Sequence, residues 1–357
     1  MQFSYIVNAA LSNETDRPLM QKEVYPVNAK LQAYLQQYKR DIKLPVAYTD
    51  LLHYRYTNAI KDKIGRHTHW ENVVYEDALL STLQQQLIDT YYLLMKPDGE
   101  SFSITAIDFC EYANSMPFRI TLKDNAEHKT HFFYIKSADS SRIYGLELEQ
   151  LLSPNPIHFL YHKNTLVEQH IDGIPGDEFA NEIKYLSTEE KTQVAEEFIR
   201  FNERCFARLL GDMRSYNFVA IKTCISQNPY RIRAIDFDQQ CYEGRLNLYL
   251  PQFYKENIEY VQLVKSVLSN EWIEQIRMQE RVKLALYVQD NKEQLGHLLK
   301  AMTAEEISDN YKVILLRNEL NDYFKIIEFN ECNTMGAIVI QQLIQMIDSA
   351  SLRIIIK

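Results

Sequence analysis

Apolar residues recur at helical spacing over residues 75–95, where Leu79, Leu83, Leu87, Tyr91 and Leu94 line one stripe. With this stripe at its centre, the first hundred residues read as mostly helical. "KPDGES" (96–101) is a turn cluster that closes this part of the chain. The period then changes. "SITAIDFCEY", "PFRITLK" and "HFFYIKS" are three short β-rich runs, separated by "ANSM" and "DNAEHKT", and predict an antiparallel meander. "SSRIYGLELEQLLS" predicts a short helix that "SPNP" ends. Two further strands are expected in "IHFLYH" and "TLVEQHI", joined by a "KN" turn, and "DGIPGDE" is the next break in the pattern.

Over 188–210, Val194, Phe198, Phe201, Cys205 and Leu209 form an apolar helical stripe behind a capping box in "STEE". Two strands come next, "FVAI" and the run ending in "RAID", with a hairpin turn at "SQNP". From about 250 the pattern is helical again, with caps expected at "SNEW" and "TAEE". The C-terminal "GAIVIQQLIQMI" is broken by glutamines and reads as a packed amphipathic helix. The order predicts an α+β protein, a small antiparallel-sheet lobe joined to a helical lobe. The boundaries are a helical N-terminal extension over 1–98, a sheet lobe over 99–170 and a helical lobe over 171–357.

Composition narrows the picture. A length of 357 residues allows two or three domains at roughly 100–200 residues each. Lys and Arg number 39 against 48 Asp and Glu, a net charge of −9. That argues against a broad nucleic-acid or anionic-membrane surface, which needs clustered positive charge. Five cysteines without a C-x-x-C pair read as reduced thiols. The N-terminus lacks the basic region of a signal peptide, and no apolar run approaches the ~20 residues of a membrane span. A soluble cytoplasmic protein is expected. His67 and His69 share a spacing that could chelate on a strand, but no cysteine stands beside them and the pair reads as an ordinary surface feature.

The chemistry gathers in "GDMRSYNFVAI" and "RAIDFDQQ". Asp212 precedes Asn217 by five residues, and Asp236 ends the second strand. Together with the order of elements, these residues resemble the protein-kinase-like fold, closest to its aminoglycoside/choline-kinase-like phosphotransferase branch. The resemblance covers roughly 102–250. It implies a two-lobed fold that binds ATP and Mg²⁺ and transfers phosphate to a hydroxyl. Asp212 would act as the base, Asn217 and Asp236 as metal ligands, and Lys136 on the third strand as the phosphate clamp. Glu147 or Glu149 on the next helix would partner Lys136, with Glu147 preferred. Asn114 and Ser115 would turn over the phosphates, and backbone groups of Glu168, Gln169 and His170 would meet the adenine edge.

The departures also carry information. The phosphate loop lacks glycine, Leu210-Gly211 stands where protein kinases carry His-Arg, and no A-P-E follows Asp236. These favour a small-molecule hydroxyl acceptor. They leave open a specific protein acceptor recruited by an atypical docking domain, a pseudokinase-type nucleotide-binding module, and a nucleotidyltransferase that moves AMP.

Overall fold

A computed structural model describes residues 22–62, 64–97, 101–223 and 229–347. Part of the 96–101 turn and most of "SQNP" lie outside these residues, as do Cys224 and the N-terminal "MQFSY" stretch. The chain divides into two compact units. One comprises residues 22–140 with Ile157–His170; the other comprises Ser141–Pro156 with residues 171–347. Among the described residues, no helix is long and apolar enough to cross a membrane.

The first unit is built on a seven-stranded antiparallel sheet, ordered β1-β2-β3-β4-β5-β7-β6. The strands are β1 (Tyr56–Lys61), β2 (His67–Val74), β3 (Phe102–Phe109), β4 (Phe118–Asp124), β5 (Thr130–Ser137), β6 (Phe159–His162) and β7 (Thr165–Gln169). Alternation sets the faces. Phe118, Ile120 and Leu122 of β4 and Phe133 and Ile135 of β5 are fully buried. They form one core with Leu83, Leu87, Tyr91 and Leu94 of the helix Asp77–Met95. On β5 the intervening side chains, Tyr134 and Lys136, point to the opposite face. The unit also holds two shorter helices, Ala29–Gln37 and Tyr48–Leu51.

The first hundred residues are therefore not all helical, because β1 and β2 form a hairpin at the sheet edge. β1 is mostly exposed and β2 mostly half-buried, with only Val73 of β2 buried. Strands with so few buried positions have no strong period of two.

The second unit is mainly helical. Its helices are α1 (Ser140–Leu152), α2 (Gly176–Glu182), α3 (Thr188–Arg208), α4 (Ile258–Val267), α5 (Asn270–Asp290), α6 (Lys292–Thr303), α7 (Asn310–Phe324) and α8 (Met335–Met346). A small sheet, β10-β9-β8, joins Ile174–Pro175 (β8), Phe218–Lys222 (β9) and Tyr230–Ala234 (β10). In α3 the predicted apolar stripe is buried, and Ser187 and Glu190 close the expected capping box. Ser269 caps α5 as the sequence suggests. "TAEE" does not start a helix: Thr303 ends α6, and the next helix begins behind Asp309.

Helix α3 is a central element. Besides its apolar stripe it buries Glu197, Asn202, Glu203, Arg204 and Arg208. Each buried charge is paired, as the cost of isolating it requires. Arg204 reaches Glu197 at 2.8 Å and Glu280 of α5 at 3.2 Å.

Helix α1 packs within this helical unit. Glu149 pairs with Arg208, and Tyr144 donates to Glu305. Gly145 lies against Phe237, where a Cβ would sit 3.0 Å from the Phe237 Cβ. Only the smallest residue fits there without displacing its neighbour.

Candidate active site

The site begins where α3 ends. Leu209, at φ 55°, closes the helix in the left-handed region. The chain then runs beside the segment after β10. Leu210 bridges to Gln240, and the Gly211 N–H donates to the Gln239 carbonyl at 3.2 Å. At the other end, the Ile235 N–H donates to the Asn217 carbonyl at 3.0 Å. The Asp212–Asn217 loop and the strand end bearing Asp236 are thus tied together on both sides. Asp212, Asn217 and Asp236 form one neighbourhood of the helical unit.

Asp212 itself is left-handed, with φ 56°, a conformation that aspartate tolerates better than most residues. Its N–H donates to the Tyr254 hydroxyl oxygen at 2.9 Å, and that hydroxyl donates to the Leu248 carbonyl at 2.7 Å. The carboxylate accepts from Arg214 Nε at 2.8 Å. Asn217 Nδ2 donates to the Asp212 carbonyl at 2.7 Å and to its carboxylate at 3.3 Å. Arg214 also reaches Glu256 at 3.1 Å and lies over the Tyr254 ring.

Burial pushes the Asp212 carboxyl up to about 6; Arg214 works against that shift, while the charges of Asp236 and Glu256 add to it. Burial and the nearby Arg214 act in opposite senses on the Tyr216 phenol too, and its pKa is raised.

Asp236 is held by a different cation. Arg142 Nη1, from the first turn of α1, donates to Asp236 Oδ1 and to Asp238 Oδ1, each at 2.8 Å. The Asp238 N–H donates to Asp236 Oδ1 at 3.1 Å. Arg142 and Asp238 are buried, whereas the Asp236 side chain is 32% exposed.

Among the described residues no group of three or more His, Cys, Asp or Glu side chains is placed to hold a metal ion, so a cation here would rest on few protein ligands. Asn217 turns its nitrogen to Asp212, and its Oδ1 accepts no hydrogen bond among the described residues. The oxygens available for such an ion are the Asn217 amide oxygen and the partly exposed Asp236 carboxylate. Oxygen donors of this kind would fit Mg²⁺, which takes few protein ligands and fills its shell with water and phosphate oxygens.

The remaining predicted residues are spread over both units. Lys136 is buried on β5 and donates to Glu168 Oε2 of β7 at 2.7 Å, a buried ion pair within the sheet unit. Glu168 thus contributes its side chain, whereas the sequence had suggested only a backbone role. The Gln169 N–H donates to the His158 carbonyl at 2.9 Å, and His170 Nδ1 lies 3.0 Å from the Tyr134 hydroxyl. Asn114 and Ser115 sit in the turn between β3 and β4, closed by the Met116 N–H on the Ala113 carbonyl. Glu147 is fully buried in the helical unit, where Gln294 donates to it at 3.4 Å, and Glu149 belongs to the Arg208 pair. His67 and His69 are exposed on β2. Cys110, Cys205, Cys241 and Cys332 are free and buried.

Three residues of the site escaped sequence reasoning. Arg214 had a signal, its position two residues after Asp212 in the same loop. Asp238 had one in the doubled acid of "IDFD". Arg142 had none, because an arginine in a helix's first turn reads as a solvated charge.

No protein-family model matches the chain, and no curated protein matches it.

Proposed function

We propose that this protein is an ATP- and Mg²⁺-dependent phosphotransferase of the two-lobed protein-kinase-like class, acting on a hydroxyl acceptor, in first place a small molecule. The observation that carries the reading is the double tie between the Asp212–Asn217 loop and the Asp236 strand end. It brings Asp212, Asn217 and Asp236 into one neighbourhood, which supports reading them as a base and two oxygen ligands for a phosphoryl transfer that works mainly by positioning and electrostatics.

Bound Mg·ATP would supply the phosphoryl group and the charge neutralisation around it. Asp212 accepts the proton of the acceptor hydroxyl. A carboxyl pushed up to about 6 is poised near neutral pH, where a general base is both ionised and basic enough to act. Asn217 fixes the Asp212 backbone through its Nδ2 and offers Oδ1 to the metal. Asp236 offers a carboxylate oxygen, and Lys136 is assigned to the phosphates.

Labelled ATP, offered with a metabolite pool and separately with a protein extract, tests the reading. Label from the γ-position should appear on a small molecule and vanish with Asp212→Asn. Label from the α-position would mean AMP transfer, and label on other proteins alone would move the acceptor to a macromolecule.

A second reading has its own observation. Asp212, Asp236 and Lys136 each carry an internal counter-ion, Arg214, Arg142 and Glu168 respectively. This favours a module that binds nucleotide without turnover. Nucleotide binding without product from any acceptor would select it.

A further inference from the structure

The turn between β3 and β4 is the candidate phosphate loop, and it contains no glycine. Met116 stands in it at φ 40°, the left-handed region that favours glycine. Its N–H closes the turn on the Ala113 carbonyl at 2.9 Å, and its own carbonyl accepts from the Tyr48 hydroxyl at 3.0 Å. Among the described residues nothing accepts from the N–H groups of Asn114 and Ser115. Successive backbone N–H groups in a turn can make a concave anion site.

Tyr48 is built into its position. The side chain is buried and meets the Phe118 ring of β4 edge-on, 5.7 Å between centres. Its N–H donates to Thr165 Oγ1 of β7 at 2.9 Å, and Tyr75 donates to the Leu51 carbonyl at 2.7 Å. The short helix Tyr48–Leu51 is thus pinned at both ends. Burial, with Tyr54 adding to it, pushes the Tyr48 phenol up to about 12, so it stays a donor at any working pH.

Resting on the phosphotransferase reading, we propose that Tyr48 is a positioning residue for the nucleotide phosphates. By holding the Met116 carbonyl it keeps the glycine-free turn in the conformation that presents the Asn114 and Ser115 N–H groups. Tyr48 acts through the turn and does not touch the nucleotide. The chain before β3 is then a working part of the nucleotide site rather than a separate attachment.

The test uses the full chain. Tyr48→Phe keeps the packed ring and removes the donor. Without nucleotide, its 110–117 segment should exchange hydrogen for deuterium about fivefold faster than in wild type, the worth of one ordinary hydrogen bond. In calorimetry Mg·ATP should bind about fivefold more weakly for the same reason, and adenosine, which has no phosphate, should bind unchanged. Adding Met116→Gly, which takes the left-handed backbone unaided, should restore ATP affinity to wild type. A packing defect would weaken both ligands and would not be repaired at Met116. Unchanged exchange, equal losses of ATP and adenosine affinity, or no recovery with Met116→Gly overturns the proposal. If Tyr48→Phe does not fold, recovery of folding with Met116→Gly supports it, and failure to recover overturns it. Wild type that binds no Mg·ATP contradicts the phosphotransferase reading and this proposal together. ATP binding that is indifferent to Tyr48→Phe overturns this proposal alone.

Discussion

Replacing Asp212 by asparagine should make the protein more stable at neutral pH while abolishing turnover. Burial raises the Asp212 carboxyl from its ordinary 3.8 to about 6. The unfolded chain therefore ionises first as pH rises, and stability falls between those two values. The shift of about two units corresponds to about 3 kcal/mol of lost stability above pH 6. Asparagine removes the buried charge, keeps an oxygen for Arg214, and accepts the left-handed backbone. Its amide nitrogen would face Asn217 Nδ2, a donor against a donor, which returns roughly 1 kcal/mol. The net gain should be about 2 kcal/mol at pH 7.5, or about 4–8 °C at 2–4 °C per kcal/mol for a unit of this size. At pH 4 the wild-type carboxyl is mostly protonated in the folded state and the advantage should vanish. Thermal denaturation of both proteins at pH 4 and 7.5 in chelator-containing buffer measures this. A variant less stable than wild type at pH 7.5, or an increment of equal size at both pH values, would refute the reasoning.

Other substitutions probe how the site is held. Tyr254→Phe removes the hydroxyl that accepts from the Asp212 N–H; a cost of about 1 kcal/mol is expected in urea titrations, with kcat falling more than nucleotide affinity. Gly176→Ala would place a Cβ 2.2 Å from Phe218 Cε2 and 2.5 Å from the Ser215 carbonyl oxygen, so the loop before β9 must move. It should cost about 1–3 kcal/mol in the same titration. Glu149→Gln leaves Arg208 buried with a neutral partner in place of a carboxylate; a loss of about 3 kcal/mol is expected, partly restored by Arg208→Met in the double variant.

Much of this framework was legible in the sequence, for physical reasons that also explain the gaps. The β4 run "PFRITLK" alternates because one face is fully buried, and the α3 stripe repeats because that helix is packed along its length. Asp212 and Asn217 stood out because polar groups beside an apolar strand need a reason to be there. The β1–β2 hairpin has no such alternation because only Val73 in it is buried, and "TAEE" misleads because Glu305 is taken up by Tyr144 rather than by a helix start. Arg142 was invisible for a different reason. Its role depends on α1 lying against Phe237, a contact between segments far apart in the chain, to which no local spacing corresponds.

The central claim is tested most directly by calorimetric titration of the purified protein with ATP, with and without Mg²⁺, beside Asp236→Ala. The account predicts saturable binding that Mg²⁺ strengthens in wild type and no longer strengthens in Asp236→Ala. No heat of binding at millimolar Mg·ATP, or binding that neither Mg²⁺ nor Asp236 affects, would contradict it.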